Sequence, residues 1–181
     1  MIKSKLIQRL RNGEESAFTE LVLATSARLM TVAKIYSHSI EDAQDVLQDA
    51  YIICFEKVNS FVGDEPKAFY GWLKRITINL ALSKNKKKYM TQETSLEIIK
   101  VDRPFEAHIL SALSRQEIMK LVLDLPAGYR QVFALFVIEG YSHKEIAAQL
   151  DITASTSRSQ FIRAKRVLQK QVTQLQNFDV T

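Results

Sequence analysis

The sequence predicts an all-α protein, and three observations support this fold class. Apolar residues recur at helical spacing in nearly every window of the chain. Segments that alternate polar and β-branched apolar residues, as strands do, are scarce. Only five glycines and three prolines occur among 181 residues, so few positions interrupt a helix. We therefore expect two small helical domains, residues 1–88 and 108–181, joined by a flexible linker over 89–107, with a helix-turn-helix in the second domain.

Charge and composition exclude several classes of protein. The net charge is +5, with basic residues in excess at both ends and acidic residues in excess in the middle. The only cysteine, Cys54, excludes an internal disulfide and a CxxC site, and fits a reducing compartment. No apolar run reaches the length of a membrane span and no signal-peptide core is present, so we expect a cytoplasmic protein without membrane insertion. His38 lies in a polar corner, and His108 and His143 have no nearby set of cysteines or carboxylates that could form a metal site, so we expect no metal and no cofactor.

Three helices are predicted in the first part of the chain. The first spans residues 4–11, the second runs from Glu14 to about Tyr36, and the third from Ile40 to Phe55. The expected inward positions of the third helix are Ala43, Val46, Leu47, Ala50, Tyr51 and Cys54. The other side of that helix carries a surface, here called the acidic ridge, that consists of Asp42, Asp45, Gln48 and Asp49. Such a ridge is either a solvated face or a site for a basic protein partner, and it is a poor site for DNA.

Aromatic and basic residues follow the third helix. Four aromatics occur between Phe61 and Trp72, where Gly63, Pro66 and Gly71 are expected to interrupt the helical pattern and Trp72 is expected to be buried. A basic helix that ends in a run of lysines comes next. Aromatics beside a basic helix are typical of sites for single-stranded nucleic acid, although a hydrophobic loop packed on the core fits the same residues. The candidate residues are Phe61, Trp72, Lys74, Arg75, Asn79, Lys84, Lys86, Lys87 and Lys88.

The stretch Tyr129–Lys170 predicts three helices, of which the last two form a helix-turn-helix. The first of them is expected to end at Gly140, and the segment Ser142–Glu145 has the pattern of a capping box for the second. Asp151-Ile152 makes a tight corner, and the hydroxyl of Thr153 can cap the third helix. The expected apolar stripe of the first helix is Val132, Phe133, Phe136 and Val137.

The outer face of the third helix is polar and basic. No acidic residue occurs between Asp151 and Asp179 to repel DNA. Hydroxyls near a helix N-terminus suit phosphate, and guanidinium groups further along can reach base edges, so the pattern favours DNA binding. An ordinary helical hairpin with a solvated basic face is the alternative. The candidate residues are Ser155, Thr156, Arg158, Ser159, Ile162, Arg163, Lys165 and Arg166.

In this order the parts resemble a bacterial RNA polymerase sigma factor of the sigma-70 family, in its extracytoplasmic-function (ECF) subfamily. The stretch EDAQDVLQDAYI is similar to the family's segment that grips the core polymerase. FVGDEPKAFYGWLKRITINLAL is similar to the promoter-melting segment, and LPAGYRQVFALFVIEGYSHKEIAAQLDIT followed by SRSQFIRAK is similar to the upstream-element reader. The resemblance covers nearly the whole chain. It implies a transcription initiation factor, not an enzyme, that binds core RNA polymerase and directs it to specific promoters.

The resemblance also implies roles for the candidate residues. The first domain would bind the polymerase and recognise and melt the −10 element, and the second would recognise the −35 element. The acidic ridge would meet the coiled coil of the largest polymerase subunit, and Phe61 and Asn79 would help form a pocket for a base flipped from the non-template strand. The residues expected to face the −35 major groove are Arg158, Ser159, Ile162 and Arg163. The flap region of the polymerase and an anti-sigma factor are further implied partners, and the free protein would be a monomer.

Two positions depart from the family's pattern. Asp151 stands where the turn usually has glycine, but aspartate tolerates the left-handed conformation better than most residues. Ser157 occupies a place often taken by valine, which bears on how the recognition helix packs.

Two other classes of function fit parts of the sequence. A stand-alone helix-turn-helix regulator that binds duplex operators as a dimer would leave the acidic ridge and the aromatic stretch unexplained. A helical enzyme or adaptor is the other alternative. Against an enzyme, the chain shows no phosphate loop, no metal constellation and no nucleophile with a nearby base, so no catalytic residue is predicted.

Overall fold

A computed structural model describes residues 2–89 and 114–178 of the chain. It divides into two compact units, Met1–Lys88 and Tyr89–Thr181. Every regular element in the described residues is a helix, so the all-α prediction is confirmed. Apart from Tyr89, which ends a helix, the predicted linker lies outside the described residues.

Unit one contains four α-helices and a short 3₁₀ helix. Their bounds are α1 Ser4–Arg11, α2 Glu15–Tyr36, α3 Ile40–Lys57, the 3₁₀ helix Val58–Ser60 and α4 Pro66–Tyr89. Gly13, with a φ of 75°, adopts the left-handed conformation between α1 and α2. The Ser39 hydroxyl accepts a hydrogen bond of 3.0 Å from the Asp42 backbone N–H and so caps α3. Pro66 is the first residue of α4, a position where its missing N–H costs no hydrogen bond.

The core of unit one joins apolar faces of all four α-helices. Leu6, Ile7 and Leu10 of α1 are buried against residues of α2, α3 and α4. The inward face predicted for α3 is confirmed at each of its positions, from Ala43 to Cys54. Inside this core the Thr25 hydroxyl and the Tyr51 hydroxyl share a hydrogen bond of 2.7 Å. The polar end of the tyrosine ring therefore has a partner although it is buried.

Two predictions about the aromatic stretch are wrong. Helix α4 starts at Pro66 and continues through Gly71, so only residues 61–65 interrupt the helical pattern. A glycine within a helix costs about 1 kcal/mol, which the packing of a 24-residue helix tolerates. Trp72 is partly buried rather than fully buried, because it packs at the edge of the core beside Phe61.

Four further helices lie in the described part of unit two, residues 114–178. Their bounds are α5 Arg115–Leu123, α6 Ala127–Val137, α7 His143–Leu150 and α8 Ala154–Phe178. The predicted capping box is confirmed, since the hydroxyl of Ser142 accepts from the Glu145 backbone N–H and the Glu145 carboxylate accepts from that of Ser142. A second capping box, which was not predicted, joins Ser114 and Glu117 at the start of α5.

The apolar stripe predicted for α6 is half wrong. Val132 and Phe133 are buried, but Phe136 is exposed at the edge of the core and Val137 is 54% exposed. The remaining buried positions of α6 are Gln131, Ala134 and Leu135. Because α6 packs against both α7 and α8, its middle turns are buried on more than one side, whereas Val137 in its last turn faces solvent.

Candidate nucleic-acid and polymerase interfaces

The acidic ridge lies on the solvent side of α3. Asp45 and Gln48 are exposed, and Asp42 and Asp49 are partly buried. The carboxylate of Asp49 forms an ion pair of 2.7 Å with the ammonium group of Lys84 on α4. Their side chains are 40% (Lys84) and 44% (Asp49) exposed, so water screens this pair, which contributes little to stability and can exchange for another charged partner.

Two apolar side chains extend the ridge. Ile52 and Phe55 follow Gln48 at spacings of four and seven residues, which places them on the same side of α3. They are 48% and 51% exposed, respectively. The ring of Phe55 packs edge-on against that of Phe18 at 5.5 Å. Sequence reasoning missed these residues, although their spacing from the acidic positions was visible.

The aromatic stretch forms a cluster at the start of α4. The Phe61 ring lies 5.2 Å from the ring of the buried Phe69 and 5.6 Å from that of Trp72. The loop of residues 61–65, here called the aromatic loop, then projects Val62, which is 93% exposed. Phe61 therefore forms a wall at the base of an exposed loop and does not itself protrude into solvent.

The polar candidates of α4 do not share one surface. Arg75 and Asn79 are exposed and follow Trp72 at spacings of three and seven residues, so these three lie on one side of the helix. Lys74 is partly buried, and Lys84 faces α3 through its pair with Asp49. The side chains of Lys86, Lys87 and Lys88 lie outside the described residues. On the neighbouring helix α2 the guanidinium of Arg28 lies over the ring of Tyr70 at 4.3 Å, a basic group that sequence reasoning missed.

The corner between α7 and α8, residues 151–153, has the predicted geometry. Asp151 has a φ of 57° in the left-handed conformation and ends α7. The Thr153 hydroxyl accepts a hydrogen bond of 2.9 Å from the Thr156 backbone N–H and caps α8. The Ile152 backbone N–H donates to the carbonyl of Ala147 at 3.1 Å. The helix-turn-helix is thereby closed by hydrogen bonds within a few residues of the corner.

The candidate face of α8 divides into an exposed stripe and a supporting set. Ser155, Arg158 and Ile162 are exposed at spacings of three and four residues. Thr156 shares a hydrogen bond of 2.8 Å with the Thr153 hydroxyl, and the Lys165 ammonium lies 5.1 Å from the ring centre of Phe161. The partly buried members of the set are Thr156, Ser159, Arg163, Lys165 and Arg166.

A polar contact that sequence reasoning missed joins the two helices of the helix-turn-helix. Ser157 is fully buried, and its hydroxyl is hydrogen bonded to Nδ1 of His143 at 2.9 Å. The imidazole stacks on the ring of Phe136 at 4.5 Å. Burial, and secondarily the nearby Arg158 guanidinium, lower the pKa of His143 below the 6.5 of an unperturbed histidine. A hydrogen bond thus replaces the apolar contact that a valine would make at position 157.

The described residues also lack two other kinds of feature. They contain no group of three or more His, Cys, Asp or Glu side chains that could hold a metal ion. Within the same residues, no helix is long and apolar enough to cross a membrane.

Burial raises the pKa of the Cys54 thiol to about 12, so this thiol stays protonated near neutral pH.

Comparison with known proteins identifies the family. Residues 21–89 match the family model of Sigma-70 region 2, and residues 115–168 match that of Sigma-70, region 4. The RNA polymerase sigma-H factor of Pseudomonas aeruginosa is 30% identical over 178 residues, which cover 92% of this chain and 91% of the relative. This chain belongs to the sigma-70 family of RNA polymerase sigma factors. The region 2 match covers α2 to α4, apart from the first turns of α2. The region 4 match covers α5 to the middle of α8.

Two further similarities concern the subfamily and the fold. The ECF RNA polymerase sigma-E factor of Escherichia coli K12 is 29% identical to the sigma factor over 180 residues, 92% of each chain. A solved structure of the sigma factor RpoE in complex with the anti-sigma factor NepR from Bartonella quintana matches with a TM-score of 0.44 at 25% identity, covering 84% of this chain and 94% of that chain. The chain is an ECF sigma factor that directs RNA polymerase to promoters. Sigma factors act in initiation without catalysing a reaction, and the dimeric regulator is not favoured.

Proposed function

We propose that the sigma factor uses three separate surfaces, two on unit one and one on unit two. The acidic ridge with Ile52 and Phe55 binds core polymerase. The aromatic loop and the Arg75 side of α4 capture and melt the −10 element, and the exposed stripe of α8 recognises the −35 element. The observation that carries the proposal is the separation of charge: no lysine or arginine occurs between Lys34 and Lys57, and no acidic residue follows Asp151 until Asp179.

The ridge fits a basic protein surface. Its exposed carboxylates supply long-range attraction, while Ile52 and Phe55 supply apolar area that a partner can cover. The ion pair between Asp49 and Lys84 is weak in water, so a basic partner can replace it at little cost. A DNA backbone would be repelled by this surface.

The −10 surface fits an unpaired base. The face shared by Trp72, Arg75 and Asn79 combines an aromatic ring, a cation and an amide that can hydrogen bond to a base edge. Flipping a base out of the stack costs a few kcal/mol, and a pocket walled by Phe61 offsets that cost when it encloses the base. Lys74, Lys84 and the lysine run at 86–88 are proposed to follow the phosphate backbone.

The first test concerns polymerase binding. We expect Asp45→Lys and Asp49→Lys each to lower the affinity for core polymerase by at least about tenfold, because each places a like charge against a basic partner. Affinity is measured by titrating labelled polymerase, and circular dichroism is expected to be unchanged. Asp64→Lys, which makes the same charge change at an exposed site outside the ridge, serves as the matched control. Retained capture by both ridge variants would count against the assignment.

The second test concerns the −35 element. We expect Arg158→Ala or Arg163→Ala to weaken promoter binding by about 1–3 kcal/mol if the guanidinium makes a bidentate base contact. Binding is measured with the assembled polymerase on promoters that vary at single −35 positions. Lys170→Ala removes the same charge from an exposed site further along α8 and is the control. Unaltered affinity and base preference in both arginine variants would exclude these residues from the interface.

The remaining partners are also proposals. We expect the free chain to be a cytoplasmic monomer that an anti-sigma factor can sequester, and we expect region 4 to contact the polymerase flap. Exposed Val137 at the end of α6 offers apolar area for such a contact. Gel filtration of the free chain tests the monomer directly, and a stable dimer would contradict it.

A further inference from the structure

We propose that Arg11 is a positioning residue that holds the aromatic loop in the shape needed to select a base of the −10 element. The inference rests on the proposed function of that loop. Arg11 is the last residue of α1, so it comes from outside the Sigma-70 region 2 match, which begins at residue 21.

Arg11 contacts the loop on both sides of Val62, whose side chain is exposed. Its Nη2 atom donates a hydrogen bond of 2.8 Å to the carbonyl oxygen of Phe61 and a second one to the carbonyl oxygen of Gly63. These bonds span 50 and 52 residues of sequence. Between the two acceptors lies Val62, which points into solvent. One guanidinium nitrogen therefore binds the peptide unit before Val62 and the peptide unit after Gly63, and so holds both ends of the short segment from which Val62 projects.

The loop has other anchors only at its ends. The Phe61 backbone N–H donates to the carbonyl of Val58 at 3.2 Å, and the Glu65 carboxylate accepts from the Ala68 backbone N–H at 2.6 Å. Gly63 adopts a left-handed φ of 94°, and, its two chain neighbours aside, no atom lies within 4 Å of where its Cβ would be. Among the hydrogen bonds of the described residues, those from Arg11 reach the middle of the loop.

Helix α1 is a rigid support for this contact. Leu6, Ile7 and Leu10 are buried in the core of unit one, so the end of α1 is held in place. The neighbouring Arg9 points elsewhere and pairs with Glu14 and Glu20, both at 2.8 Å. The same helix thus carries one arginine directed at the loop and one directed at α2.

Loss of the Arg11 contacts is expected to leave the loop with many conformations. The entropy cost of ordering the loop around the base then weakens base capture. Full-length Arg11→Met keeps an apolar stem but donates no hydrogen bond. Assembled with core polymerase, it is expected to form about tenfold less open complex on duplex promoters, as removal of a charged hydrogen bond predicts. It is also expected to discriminate less among promoters that differ by one non-template −10 base.

The experiment measures open-complex formation by permanganate footprinting on duplex and pre-melted promoters. Arg11→Lys, which restores a cation and donor, is expected to recover part of the base preference. Arg9→Met is the matched control and is expected to match the wild type. Binding of core polymerase is expected to be unchanged in all three variants, which a general loss of folding would not allow.

Two outcomes overturn the inference. If Arg11→Met is folded and its −10 base preference equals that of the wild type, Arg11 does not position the loop. If Arg9→Met loses as much preference as Arg11→Met, the effect belongs to α1 as a whole. The variant Phe61→Ala distinguishes a failure of this inference from a failure of the proposed function. If its −10 base preference is normal, the loop is not part of the −10 site. If its −10 base preference is changed, only the role of Arg11 is wrong.

Discussion

The corner between α7 and α8 and the aromatic loop are both short connections at proposed DNA-binding surfaces, but different interactions hold them. The corner depends on near neighbours: Asp151 turns left-handed, and Thr153 caps α8 by accepting a hydrogen bond from the backbone N–H three residues later. The loop depends on Arg11, which is 50 residues away from Phe61. The hydrogen bonds that close the corner therefore come from its own neighbourhood in sequence, whereas those in the middle of the loop require α1 to be packed beside it.

The difference matters for function. A corner held by local bonds presents α8 as a rigid element, which suits recognition of a duplex whose shape is already fixed. A loop held by one distant side chain can change shape when that contact is released, which suits capture of a base that must first leave the stack. We infer that region 4 is preorganised and that the selectivity of region 2 depends on tertiary packing.

The largest effect is expected where the loop rests on the core. Phe69 is fully buried, and its ring lies 5.2 Å from that of Phe61 and 5.5 Å from that of Trp72. Phe69→Ala is expected to lower the free energy of unfolding of unit one by about 3–5 kcal/mol through lost contacts and a cavity. Trp72 is the only tryptophan of the chain, so its fluorescence during urea unfolding reports on unit one.

The control for this prediction is Leu23→Ala on α2. Leu23 is 78% exposed, so its truncation should change stability by less than about 0.5 kcal/mol. A similar urea midpoint for both variants would show that Phe69 does not contribute the expected stability to unit one.

A smaller effect is expected at the corner. Asp151→Val places a β-branched residue at a φ of 57°, and we expect it to destabilise unit two by about 1–2 kcal/mol. Asp151→Gly should fold at least as well as the wild type, because glycine adopts this conformation without strain. Hydrogen exchange of the α7 backbone amides measures the change within unit two. Equal protection in the two variants would mean that the left-handed turn does not stabilise the corner.

The comparison also explains which features the sequence alone predicts. The capping box of Ser142 and Glu145, the left-handed Asp151 and the cap by Thr153 were predicted because each depends on residues within four positions. The inward face of α3 was predicted because one side of that helix is buried and the other is solvated.

The features that could not be predicted depend on what packs against each helix. Periodicity indicates that α6 has an apolar side, but not that Val137 in its last turn faces solvent. Gly71 predicted an interruption of the helix, but it lies at an exposed position within α4, and the helix tolerates it. In the sequence Arg11 is one basic residue among many, and nothing near it indicates a contact with Gly63.

The smallest expected effect concerns pH and would sharpen the account of the corner. His143 joins α7 to α8 through its hydrogen bond to the buried Ser157. Burial and the nearby Arg158 lower the pKa of His143 in the folded state below its value of 6.5 in the unfolded chain. The unfolded state therefore binds the proton more readily. Stability from the neutral imidazole is complete above pH 6.5 and declines as the pH falls through the lowered pKa.

Two described carboxyl groups of unit two titrate in a different range. The capping hydrogen bonds lower the pKa of Glu117 and Glu145 below 4.5, so the stability they contribute is lost only in more acidic solution. The range from pH 7.5 to 5.5 extends about one unit on either side of an ordinary histidine pKa. In this range His143 is expected to dominate the pH dependence of hydrogen exchange protection in α7 and α8. His143→Gln should flatten the pH dependence of hydrogen exchange protection in α7 and α8, whereas His38→Gln in unit one should leave it unchanged. An equal slope in wild type and His143→Gln would show that the histidine contact does not couple the two helices, and that the Thr153 cap and the backbone bonds hold the corner without it.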